Sequence, residues 1–277
     1  MKTLYYLALF LILSLSSYAQ KNIDKKFEEI KNEGIKLYRS EMASWYGTDL
    51  FIEKYKNTKN IGGYFSYSEN EKNICIFFSK DNTPKVIGTI SFDNTFDVQK
   101  ADLNLTERNL SKVEKDLHTL RIKTKEIIEK DTALFKHYNN TKYNIIPLIE
   151  KDVNKVYILT GPEANGVVIF GNDYLLRFNK KNELIDKKSL HKNIIPIEYG
   201  TSSEEDFSVH NHLEETGDFL TPTDICTLML YGKFTPWKTH LVMSKNYLSM
   251  WIINDNTYEF MTIEEFEKMA NETDTKD

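Results

Sequence analysis

The sequence predicts a mixed α/β fold, a mostly antiparallel sheet with flanking helices. Two long segments carry helical periodicity, short runs rich in β-branched and aromatic residues recur through the rest, and polar turn clusters separate those runs. Runs joined by such short turns pair as antiparallel neighbours, because parallel neighbours need a long crossover.

The chain of 277 residues begins with Lys2, an apolar run from Leu4 to Leu15, and Ser17-Tyr18-Ala19 before Gln20. A basic start, an apolar stretch and small residues before a cleavage point form the pattern of a secretory signal peptide. Residues 1–19 are therefore expected to be removed, giving a periplasmic or secreted product. An apolar run of about a dozen residues is too short to favour a stable membrane span, and no cysteine follows it to mark a lipoprotein.

In the expected N-terminal α/β region, residues 20–140, Phe27, Ile30, Ile35, Leu37, Tyr38, Met42 and Trp45 space an amphipathic helix interrupted near Gly34. Strand-like runs follow at Gly63 to Tyr67, Asn73 to Phe78 and Val86 to Phe92, separated by Glu69-Asn70-Glu71 and by Lys80 to Pro84, which predicts an antiparallel meander. A second helix is expected over Thr106 to Lys130, with Leu110, Val113, Leu117 and Leu120 inward and lysine and glutamate outward.

The polar stretch from Lys136 to Lys142 marks the expected boundary with a C-terminal α/β region, residues 141–270. Strands are read at Tyr143 to Leu148, Lys155 to Leu159, Val167 to Phe170, Tyr174 to Phe178 and Ile194 to Tyr199, and Asn179 to Asn182 forms a turn before a strand containing Leu184. Phe207 to His212 continues as a strand, Thr223 to Tyr231 as a helix, and His240 to Met243 with Leu248 to Ile253 as a hairpin. A short helix over Thr262 to Ala270 precedes a tail, residues 271–277, expected to be disordered.

A net charge of −5 with no basic block excludes a nucleic-acid groove, which needs clustered positive charge. Cys75 and Cys226 are the two cysteines, each inside an apolar run. One bridge between them is open in an oxidising compartment, but their settings favour two separate buried thiols.

Chemistry concentrates in Ser208-Val209-His210-Asn211-His212-Leu213 and the following Thr221-Pro222-Thr223-Asp224. In a strand, His210 and His212 share one face about 6.6 Å apart, so both imidazoles can reach one ion. Thr221 suits an N-cap and Pro222 a first helical position, which puts Asp224 in the first turn. Two nitrogens and one oxygen would leave a fourth tetrahedral position for water, the layout of a catalytic Zn2+ site.

Residues 208–224 resemble the metal-binding signature of the JAB1/MPN metalloproteases, His-x-His-Pro followed by Ser-x-x-Asp. Leu213 stands where that pattern has proline and Thr221 where it has serine, and the intervening loop is one residue longer. The resemblance covers roughly residues 155–255. It implies a JAB1/MPN-like C-terminal part, zinc on His210, His212 and Asp224, and Thr221 helping to hold the tetrahedral intermediate. It also implies a general-base glutamate upstream, matched here by Glu163 in Glu163-Ala164-Asn165-Gly166, which also reads as an ordinary exposed turn.

The other histidines carry less. His191 is read as a surface turn residue with a fourth ligand or substrate contact as the alternative, His240 as a core or edge histidine with a place lining the same cleft as the alternative, and His118 and His137 as helix-surface residues. Glu215 and Asp218 keep a loop soluble, contact with a cationic substrate being the alternative, and Trp45, Trp237 and Trp251 are expected in the core, with ligand contact the alternative. The leading functional expectation is an exported zinc-dependent hydrolase, a peptidase or isopeptidase acting on a peptide or protein. The alternative is a non-catalytic envelope binding or assembly protein with a degenerate hydrolase-like site.

Overall fold

A computed structural model describes the backbone of residues 2–199 and 206–274, with side chains described over 22–199 and 206–272. The expected signal peptide, residues 1–19, falls outside the described side chains.

Helix α1, Lys2–Lys54, lays Phe27, Leu37, Ala43 and Phe51 fully into the interior. It covers a five-stranded antiparallel sheet of β1 (Ile61–Glu69), β2 (Lys72–Ser79), β3 (Lys85–Phe92), β4 (Asp102–Asn104) and β5 (Arg108–Asn109). Asn70 and Glu71, both at positive φ, make the two-residue turn of the β1–β2 hairpin, the conformation that matches the twist of the flanking strands. The Phe51 ring stacks on Phe77 of β2 at 3.8 Å. Each fully buried phenylalanine or leucine contributes about 1.5–3 kcal/mol relative to exposure.

The second helix, α2 (Lys112–Lys130), starts later than the Thr106 expected from the sequence. Asn104 Oδ1 accepts the Thr106 amide in a turn, and the true cap is Ser111, whose hydroxyl accepts from Glu114 N while the Glu114 carboxylate accepts from Ser111 N. This reciprocal box satisfies two helix-end donors. Arg108 grips the same carboxylate with both terminal nitrogens at 2.7 Å, and Tyr67 donates to it at 3.0 Å.

Beyond α2, β6 (Thr141–Leu148), β7 (Asn154–Pro162), β8 (Val167–Gly171), β9 (Tyr174–Phe178), β10 (Leu184–Ser189) and β11 (Ile194–Glu198) follow. They pair as an antiparallel sheet ordered β10-β9-β7-β6 and an antiparallel ribbon β11-β8. Strand β12 (Phe207–Asn211), helix α3 (Pro222–Tyr231), and strands β13 (Thr239–Met243), β14 (Tyr247–Ile252) and β15 (Thr257–Thr262) come next. They make a sheet in which β12 runs parallel to β13 and the other pairs are antiparallel. The fold is thus the mixed α/β arrangement predicted, with one parallel pair and a third strand closing the expected C-terminal hairpin. The last helix, α4 (Ile263–Asp274), passes beyond the expected end at Ala270 and takes in four residues of the expected disordered tail.

One apolar cluster joins Leu37, Phe51, Cys75 and Ile90 to Ile146, Tyr157, Cys226 and Leu230, on both sides of residue 140. Cys75 and Cys226 are buried and free, as their apolar settings suggested. No described helix is long and apolar enough to cross a membrane.

Gly34 does not interrupt α1. A Cβ there would lie 2.7 Å from Ile225 Cγ2 and 3.0 Å from the Pro222 carbonyl oxygen, so the missing side chain lets α1 press against the first turn of α3. That contact holds the helix end which carries Asp224.

Two outcomes follow for thermal or urea unfolding. Gly34→Ala destabilises by roughly 1–3 kcal/mol through overpacking, against the roughly 1 kcal/mol gain that helix propensity alone would give. Glu114→Gln costs roughly 1–3 kcal/mol at neutral pH. Burial raises the Glu114 carboxyl, but Arg108 and the Ser111 amide outweigh it and lower it below its ordinary 4.5. Its contribution is therefore present above that value and is lost as the pH falls through the lowered folded-state value. The difference between wild type and Glu114→Gln shrinks on acidification below 4.5.

Candidate metal centre

Strand β12 alternates as its period of two requires. Ser208 and His210 face inward, Phe207, Val209 and Asn211 face out, and His212 continues the inward set. A bond from His212 N to the Met243 carbonyl extends the ladder to that residue at 2.8 Å. Across from it, Thr221 caps α3: its hydroxyl accepts from Asp224 N at 3.1 Å, and Asp224 Oδ2 accepts from Thr221 N at 2.7 Å and from its hydroxyl at 2.8 Å. The box leaves Asp224 Oδ1 turned inward without a hydrogen-bond donor.

A third segment completes the site. After β10 the chain is held by Leu190 N bonding to the Asp173 carbonyl and Asn172 N to the Asn193 carbonyl. Gly171, at φ +79°, permits that approach, since a Cβ there would lie 2.2 Å from the Asn193 oxygen. His191 is thereby buried at 4% exposure and pointed at the same centre. This corrects its reading as a surface turn residue.

His191, His210, His212 and Asp224 bring one donor atom each within 4.8 Å of one another. The Nε2 atoms of His210 and His212 are 3.0 Å apart, and those of His191 and His212 are 3.3 Å apart. Asp224 Oδ1 lies 3.4 Å from His191 Nε2 and 3.7 Å from His210 Nε2, and Oδ2 lies 3.3 Å from His212 Nε2. Zinc with nitrogen ligands at 2.0–2.1 Å in a tetrahedron places its donors about 3.3 Å apart. The observed spacings surround that value. Three imidazole nitrogens converge at these distances on one point, and the buried Asp224 Oδ1 beside them lacks a hydrogen-bond partner. The residues therefore fit Zn2+, and the three nitrogens and one oxygen suit it chemically.

The surroundings prepare the ligands. Burial holds His210 down to about 4, so it is a neutral donor at pH 7, the form that binds metal. Burial works to raise Asp224, but the charge of His191 and the closeness of the His191, His212 and His210 rings outweigh it and keep the carboxyl well below the ordinary range. His210 Nδ1 meets His240 Nε2 at 2.8 Å, and His240 Nδ1 meets Ser208 Oγ at 2.6 Å. With His210 Nε2 on a metal, its Nδ1 carries the proton and donates to His240, which donates in turn to Ser208; the chain fixes both tautomers. Phe170 stacks on His240 at 4.5 Å and holds that ring flat. Asp173 Oδ2 stands 3.8 Å from His191 Nδ1, and its Oδ1 accepts from Thr160 N.

Sequence reasoning brought together His210, His212 and Asp224 and left the fourth position to water. A fourth protein donor, His191, faces the same point. Thr221 is beside the centre, but its hydroxyl bonds Asp224 and Thr223. Glu163 follows the end of β7, its amide bonds the Asn140 carbonyl, and it lines a cavity of about 590 Å³ that none of the four cluster residues lines. His240 was read as core or edge, and it is wholly buried. Its bond to His210 had no sequence signal, because the parallel pairing of β12 with β13 creates it.

In comparisons with known proteins, no family model, curated protein or solved structure matches this chain. The likeness to a JAB1/MPN metal site rests on the His-His-His-Asp cluster itself.

Tag-free protein is expected to carry close to one zinc per chain, measured by elemental analysis. Chelator competition should show affinity falling by more than about 100-fold in His210→Ala or Asp224→Ala, and by roughly 10–100-fold in His240→Ala, which removes only the orienting bond. Unchanged affinity in His240→Ala would contradict the tautomer chain.

Proposed function

We propose that this chain is an exported zinc-binding protein in which the metal is a buried cross-link, and that it acts by binding rather than by hydrolysis. One observation carries the reading: His191 offers a donor where a catalytic site would hold water, and all four donor residues are at most 7% exposed. Four protein donors make a closed site of the structural kind, whereas catalytic zinc keeps a position open. Bound there, zinc would tie β12, the head of α3 and the segment after β10 into one unit. Export is supported by the composition of residues 1–19.

A second reading keeps the hydrolase. The His-x-His and Thr-x-x-Asp pattern and the inward Asp224 favour it, and zinc would supply Lewis-acid chemistry to a peptide or isopeptide carbonyl once a position was free. His191 would have to swing away, and a carboxylate base would be needed at the centre. Asp173 is the carboxylate beside His191.

The two readings separate cleanly in experiment. With zinc at roughly 1,000-fold over its Kd, the binding linkage supplies about 4 kcal/mol of stabilisation. For a chain of this size that raises Tm by roughly 10 °C. The structural reading expects this rise in wild type, a smaller one in His191→Ala, and no zinc-dependent cleavage of peptide or isopeptide substrates by either. Zinc-dependent turnover in wild type, lost in a folded Asp224→Ala, would overturn it in favour of the hydrolase.

A further inference from the structure

The cavity that holds Glu163 is walled by α1, the end of β7 and the end of α3, none of the four cluster residues lines it, and the centre leaves it unexplained. At about 590 Å³ it falls in the range of small-ligand sites. Its aromatic wall includes Trp45, Tyr231 and Phe234. Trp45 and Phe234 are 44% and 52% exposed, although the sequence put Trp45 in the core. Trp45 and Tyr231 stand 6.4 Å apart with their rings tilted at 45°, two faces that converge on one space.

Charge gives the cavity its sign. Glu41, Asp49 and Glu163 line it against one cation, Lys142. Glu41 is partly buried in a helix that packs on the sheet, and it faces this cavity without a salt-bridge partner among the described residues. Burial pushes that carboxyl up to about 7, with Arg121 and Lys142 pulling it back only in part. The Arg121 guanidinium is engaged elsewhere, donating to the Ile145 carbonyl at 2.7 Å and lying 5.3 Å from the Tyr64 ring centre. A half-buried carboxylate with no cation beside it leaves a negative charge only partly compensated by solvent. An ammonium group entering beside the aromatic faces would meet that carboxylate and gain cation–π attraction.

We propose that this cavity is a binding site for an alkylammonium group, carried on a small amine or on a lysine side chain of a peptide. The aromatic faces take the methylene stem, and Glu41, supported by Asp49 and Glu163, takes the charge. This goes beyond the metal centre and does not depend on whether zinc there is structural or catalytic.

Trp45 supplies the readout, because Trp237 and Trp251 are at most 5% exposed and Trp45 is open. Zinc-loaded full-length protein is titrated with cadaverine, with a lysine-containing tripeptide, and with the length-matched neutral and anionic compounds 1-pentanol and pentanoate, by tryptophan fluorescence and calorimetry. The expected result is saturable binding of at least one amine, with pentanol and pentanoate at least 10-fold weaker. Preference for cadaverine or for the tripeptide distinguishes a small amine from a peptide ligand. Glu41→Gln should weaken amine binding at least 10-fold while zinc stoichiometry and circular dichroism stay unchanged. Trp45→Ala, at the exposed rim, should weaken it with the fold intact and serves if Glu41→Gln fails to fold. No saturable amine binding to wild type, equal binding of pentanoate, or full affinity retained in folded Glu41→Gln would overturn the assignment.

Discussion

Three imidazole nitrogens and a carboxylate oxygen meet inside the protein within 4.8 Å of one another, and the surrounding structure is arranged so that they must. Such a set is costly without a cation, since the inward carboxylate oxygen is buried with no hydrogen-bond partner. A divalent cation converts that cost into a bond. The contacts that hold the segments in place serve this convergence: the close approach of α1 at Gly34 seats α3, the Thr221 box aims Asp224, and the Asn172–Asn193 bond turns His191 inward.

The bonds around the ligands matter as much as the ligands. A histidine can present either ring nitrogen, and the choice at His210 is made by His240 and Ser208 rather than by the metal alone. Phe170 keeps the His240 ring in plane with that task. Together they order the buried donors around one point. A closed set of donors is what a cross-link needs, and a water-activating centre needs one position released.

Much of this was legible in the chain. The alternation of β12 put His210 and His212 on one face, and Thr221 with Pro222 announced a capped helix start that carries Asp224, because these signals are local. The meander of β1 to β3 was legible for the same reason, through turn residues such as Asn70. His191 was not, since its orientation depends on the pairing of β10 with β9 and on backbone bonds to Asn172 and Asp173, which no short spacing encodes. Gly34 looked like a helix break because its packing partner lies far along the chain, at Ile225. Glu163 matched a family pattern in sequence but lies at a different cavity, and Trp45 looked like core because aromatic residues usually are.

X-ray absorption at the zinc edge of the metal-loaded, tag-free protein tests the central claim most directly. The account predicts a four-coordinate first shell at about 2.0–2.1 Å, with outer-shell scattering from three imidazoles and no solvent oxygen. A shell with two imidazoles and a solvent oxygen would contradict it, because His191 would then stand off the metal and the centre would be open.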